Sequence, residues 1–134
     1  MTDLRPLPVP ALADNYIWVV AGAEGTAVVV DPGEAAPVRA ELARRQLRLA
    51  AILLTHHHPD HIAGAAELAA TGATIHAPRD ERIACACERI GEGDRVEIAE
   101  AGLGFDVIEV PGHTLSHVAY HGHGLLFCGD TLFS

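Results

Sequence analysis

A chain of 134 residues, 49% hydrophobic and 20% charged, is long enough for one compact domain and too apolar to be disordered. Eighteen acidic side chains face nine arginines and no lysine, and the formal net charge of −9 excludes a phosphate-backbone binder, so no nucleic-acid partner is expected. The opening MTDLRPLPVP lacks the basic start and apolar centre of a signal peptide, and no apolar run approaches the roughly 20 residues of a membrane span. The expectation is a cytoplasmic protein with no membrane partner.

In chain order, NYIWVV and TAVVVD are two β-rich runs separated by the Gly22 to Gly25 turn, the pattern of an antiparallel hairpin. DPGEAAPVRAELARRQ begins with a turn at Pro32-Gly33 and continues in helical proportions, with Val38, Leu42 and Ala35 as its apolar stripe. LRLAAILLT is a continuous apolar run whose length favours a strand buried on both faces over a buried helix. HIAGAAELAATG reads as a helix stopped by Gly72, ATIHAP as a strand, and RDERIACACERIG as a segment holding a short helix. Alternation at Val96, Ile98, Phe105, Val107 and Val110 predicts two strands joined by a glycine turn, and SHVAYHGHGLLFCGDTLFS predicts two more around His-Gly-His-Gly. Strands interspersed with helices and hairpins imply an α/β sandwich with mixed sheets.

Three cysteines without an export signal are expected as reduced thiols. Cys85 and Cys87 are one residue too close for the usual C-x-x-C pair and are not expected to bind metal, while Cys128 in GLLFCGD reads as a small buried apolar residue.

The chemistry concentrates in LLTHHHPDHIAGA, where a buried strand turns into a helix. Residues two apart on an extended segment point the same way, so His56 and His58 can face one point while Asp60 and His61 face another close by. Four such donors within six positions suit two neighbouring metal ions better than one. Imidazole and carboxylate donors suit zinc, iron or manganese, and the absence of cysteine argues against a closed structural zinc site. His113 follows the strand FDVIEV and Asp130 follows LLFCG, and strand ends along one sheet edge are where α/β folds gather reactive groups.

Together THHHPDH, PGHT and GDTLF resemble the metallo-β-lactamase superfamily, and VPALADNYIWVV with THHHPDHIAG and GDTLFS is similar to its glyoxalase II branch, the hydroxyacylglutathione hydrolases. The resemblance implies an αββα sandwich, incomplete at its C-terminus, with residues 1–134 forming the metal-binding domain and a helical substrate-binding domain lacking. It implies two divalent ions, zinc first with iron or manganese as alternatives. His56, His58 and His113 would hold the first, Asp60 and His61 the second, and Asp130 would bridge them. Asp60 would also act catalytically by orienting the hydroxide, His57 would point away, and His117 would orient a ligand from behind. One further histidine for the second metal is expected beyond Ser134, and His76, His121 and His123 are not expected to replace it.

The implied reaction is hydrolysis of S-(2-hydroxyacyl)glutathione, typically S-lactoylglutathione, by an enzyme monomeric at full length. Its nearest rival in the superfamily is an iron-dependent persulfide dioxygenase, with lactonase and ribonuclease branches behind it. A rival of another class is an inactive metal-binding fragment. The purified 134-residue chain is expected to bind its second metal weakly, to turn over little lactoylglutathione and to associate through an uncovered sheet face. Metal analysis and a thioesterase assay check this: two tightly held metals with full thioesterase rates would contradict it.

Overall fold

The computed structural model describes residues 6–11, 15–56, 62–80, 83, 87–110, 117–128 and 131–133. The chain opens with an antiparallel ribbon, β1 (Leu7–Ala11) against β2 (Asn15–Ala21), and β2 continues as a hairpin into β3 (Thr26–Val30) through a 3-10 turn at Ala23–Gly25. The hairpin follows the sequence expectation. β1 was not among the expected strands; it carries two prolines, and at the edge of the sheet a proline needs no ladder partner on its open side.

Helix α1 (Ala35–Arg45) buries the expected stripe of Ala35, Val38 and Leu42. It stops where Gln46 turns left-handed, with φ 56°, and the Leu47 N–H donates to the Leu42 carbonyl at 2.9 Å. The chain then enters β4 (Arg48–Leu53), parallel to β3 and buried on both faces as its unbroken apolar run predicts. Helix α2 (Ala65–Ala69) and β5 (Thr74–Pro78) follow, the latter parallel to β4. The region expected to hold a short helix ends in β6 (Glu88–Ile90), parallel to β5. Residues 81–82 and 84–86 of that region lie outside the described residues.

A second, antiparallel sheet is built from β7 (Arg95–Ile98), β8 (Leu103–Glu109), β9 (Val118–Gly122), β10 (Leu125–Cys128) and β11 (Thr131–Phe133). The first sheet runs β1-β2-β3-β4-β5-β6 and the second β11-β10-β9-β8-β7.

Strand alternation divides the core in two. Val19, Val29, Ile52 and Ile75 face the helices and pack with Val38, Leu42 and Leu68. Val20, Val28, Val30, Ala51 and Leu53 face the second sheet and meet Val96, Phe105, Val107, Tyr120 and Phe127. Each fully buried side chain of this size contributes about 1.5–3 kcal/mol. Helix, sheet and sheet thus form three layers of the expected sandwich. On the outer face of the second sheet Ile108 is 38% exposed, and among the described residues no helix covers it.

Where β3 meets α1, the chain makes a tight turn against the start of α2. The Gly33 N–H donates to the Asp31 carbonyl at 2.9 Å, and the Gly64 N–H donates to the Pro32 carbonyl at 2.8 Å. A methyl group on Gly64 would lie 2.6 Å from Ala35 N and Glu34 C and 2.8 Å from Pro32 O. All three are backbone atoms, so no side chain can rotate aside. Gly64→Ala is therefore expected to destabilise the fold by about 1–3 kcal/mol, measured by urea denaturation, and an unchanged midpoint would contradict this close approach.

Candidate metal centre

β3 and β4 are parallel neighbours with Val30 opposite Leu53, so the residues that follow them leave the sheet side by side at its C-terminal edge. The Asp31 N–H donates to the Leu53 carbonyl at 2.9 Å. Asp31 itself is left-handed, with φ 52°, a conformation that a short polar side chain tolerates better than most. This turns its carboxylate onto Thr55. Oδ1 accepts the Thr55 N–H at 2.8 Å, and Oδ2 accepts the Thr55 hydroxyl at 2.7 Å.

The same hydroxyl lies 2.8 Å from His56 Nδ1. Asp31 is 2% exposed, Thr55 0% and His56 2%, so three polar side chains are buried in a row, each hydrogen-bonded to the next. The His117 ring, also buried, stacks on His56 with centroids 4.8 Å apart and planes inclined by 22°.

The second sheet is fastened to this same strand end. The Val118 N–H donates to the Thr55 carbonyl at 2.9 Å, and the Tyr120 hydroxyl donates to the Leu54 carbonyl at 2.6 Å with a longer approach of 3.2 Å to the His76 carbonyl. Burial first, then the negative charge of Asp31 and Cys87, pushes the Tyr120 phenol well above its usual range, so it stays a donor. The Val110 N–H donates to the His117 carbonyl at 2.9 Å, bringing the two flanks of segment 111–116 together. Cys128 ends β10 beside the start of β9, and its thiol is pushed upward by burial and then by Asp31.

The flanks of all three sequence motifs therefore meet at one edge. Of the expected ligands, His56 stands there, in the stacked pair with His117. His58, Asp60, His61, His113 and Asp130 lie outside the described residues, as do His57 and Cys85. Among the described residues no group of three metal-ligating side chains forms.

His76, which was not expected to substitute as a ligand, lines a cavity of about 300 Å3 with Ala50, Thr74, Glu97 and Glu100, towards the starting ends of β4 and β5. His121 is exposed on the second sheet, and His123 sits in the β9 to β10 turn, its Nε2 accepting the Gly104 N–H at 3.2 Å. Cys128 is a free thiol. Cys128 is half-buried, which corrects the expectation of a buried apolar residue: inward positions of β10 belong to Leu125 and Phe127.

Sequence reading passed over Asp31, Thr55 and Gly64 as turn, strand end and helix. The available signal was an aspartate and a threonine directly after two apolar strands that had to be parallel neighbours.

The donor chemistry fits a divalent metal. His56 is a buried imidazole whose Nδ1 is engaged by a hydroxyl, the usual outer contact of a histidine that ligates a metal through its other ring nitrogen.

Residues 12–84 match the family model described as Metallo-beta-lactamase superfamily. A hydroxyacylglutathione hydrolase of Xylella fastidiosa (strain 9a5c) is 52% identical over 133 residues, which is 98% of this chain and 50% of that protein. The chain thus spans about half the length of the curated relatives it matches. Among solved structures, BLEG-1 B3 metallo-beta-lactamase superposes with a TM-score of 0.81 at 26% identity, covering 98% of this chain and 73% of that one. The di-iron-bound form of TTHA1623 superposes with a TM-score of 0.75 at 27% identity, covering 97% and 73%.

Tyr120→Phe keeps the ring and leaves the Leu54 carbonyl without its donor, so it is expected to cost about 1–3 kcal/mol in urea denaturation. A change below about 0.5 kcal/mol, the range of ordinary surface substitutions, would contradict a tie between the sheets at this point.

Proposed function

Because the chain belongs to the metallo-beta-lactamase superfamily, we propose that it is the metal-binding portion of a hydroxyacylglutathione hydrolase, which splits S-(2-hydroxyacyl)glutathione, S-lactoylglutathione above all, into glutathione and a 2-hydroxy acid. The observation that carries this reading is the buried Asp31, Thr55 and His56 row at the strand edge, set within a sequence about half identical to proteins of that name. His56, His58 and His113 would hold one metal and Asp60 and His61 the other, with Asp130 contributing to both. The di-iron-bound relative supports a dinuclear centre, with zinc as the first choice here and iron or manganese as alternatives.

Two bound divalent ions would make hydroxide available near neutral pH and polarise the thioester carbonyl. The chain's own groups set up that chemistry. His56 is held in a water-poor pocket by Thr55 on one side and the His117 ring on the other. Asp60 is assigned the acceptor that orients the nucleophile's proton. The tie from Val118 to Thr55 holds the flanks of the His56 and His113 segments together.

We assign the protein to the cytoplasm, and no described helix is long and apolar enough to cross a membrane. We assign a monomer to the full-length protein.

The test is release of thiol from S-lactoylglutathione by the full-length protein. Chelation should abolish it, zinc should restore it, and Asp60→Asn should lower kcat by about 100-fold or more. Oxygen uptake with one iron per chain and no thiol release would overturn the assignment in favour of a dioxygenase.

A further inference from the structure

We propose that Asp31 is a positioning residue for the metal centre: through the Thr55 hydroxyl it fixes His56 as the Nδ1–H tautomer, so that Nε2 is the ligand nitrogen. For the metal this rests on the functional reading above; the tautomer stands on the hydrogen bonds alone. The Thr55 hydroxyl has a single proton to give. A carboxylate oxygen only accepts, and Oδ2 of Asp31 is 2.7 Å away, so that proton belongs to the Asp31 bond. The hydroxyl then meets His56 Nδ1 at 2.8 Å as an acceptor, and Nδ1 must carry hydrogen. A neutral imidazole with Nδ1–H has its lone pair on Nε2.

The carboxylate cannot drift from this role. Its other oxygen holds the Thr55 N–H at 2.8 Å, its backbone N–H holds the Leu53 carbonyl, and the left-handed turn at Asp31 aims it. The adjoining turn clamps the other flank of the ligand segment, since the Pro32 carbonyl receives the Gly64 N–H. One short stretch, Asp31 to Gly33, thus orients His56 before residues 57–61 and anchors the backbone after them.

The substitution Asp31→Asn separates positioning from bulk. An amide has one accepting oxygen, which can serve the Thr55 N–H or the Thr55 hydroxyl and not both. Serving the N–H turns the amide NH2 onto the hydroxyl, which then donates to His56 Nδ1 and drives hydrogen onto Nε2. Thr55→Val removes the hydroxyl at nearly constant shape, and Thr55→Ser restores it.

The test uses long-range 1H–15N spectra of the metal-free full chain, with the His56 signal identified by its loss in His56→Gln, and zinc affinity measured by competition with a chromophoric chelator. Expected are Nδ1–H in the wild type, Nε2–H in Asp31→Asn, a 10- to 100-fold loss of zinc affinity in Asp31→Asn and Thr55→Val, and recovery in Thr55→Ser. If Asp31→Asn does not fold, the Thr55 pair decides. Nε2–H in the wild type, or wild-type zinc affinity in Thr55→Val, would overturn the proposal. Failure of the full-length protein to hydrolyse thioesters would sink the functional reading while leaving these two readouts in place.

Discussion

The carboxylate of Asp31 grips both the amide and the hydroxyl of Thr55, and much of the molecule's organisation follows from that grip. Two parallel strands end side by side, and beyond their last ladder bonds the backbone has polar groups that need partners in a buried place. Asp31 supplies them for Thr55 N and, through its own amide, for Leu53 O. A break in the sheet becomes a fixed corner, from which His56 starts in one orientation.

The second sheet uses the same corner. Leu54 and Thr55 have carbonyls turned out of the first sheet, and Tyr120 and Val118 supply the donors. Packing of two apolar faces alone would leave the sheets free to slide by small amounts. Two hydrogen bonds at one end set where they meet, and that end carries the flanks of the three motifs. Fold and candidate centre therefore share their determinants, and substitutions at Asp31, Gly64 or Tyr120 act on both.

Much of this was legible from the residues. The β2 to β3 hairpin and the buried β4 showed in apolar runs bounded by glycine or by an abrupt polar stop, and α1 showed in the spacing of Ala35, Val38 and Leu42. The proposed metal motif rests on the spacing of its imidazoles and carboxylates, and of its expected ligands only His56 lies among the described residues. β1 was hidden by prolines that only an edge position accommodates, and β6 by being three residues long with one buried side chain. The side of β10 that faces inward could not be read from GLLFC, an unbroken apolar run without a period. Asp31 and Thr55 stand 24 residues apart, and their pairing exists only once β3 and β4 are neighbours. Local sequence therefore shows a turn and a strand end where the folded chain has a buried hydrogen-bonded row ending at His56.

The most direct measurement is anomalous diffraction at the zinc edge from crystals of the full chain grown with zinc. The account predicts a peak about 2 Å from His56 Nε2, with Nδ1 still engaged by the Thr55 hydroxyl and that hydroxyl by Asp31. A peak on the Nδ1 side with the Thr55 contact broken, or none beside His56, would contradict it.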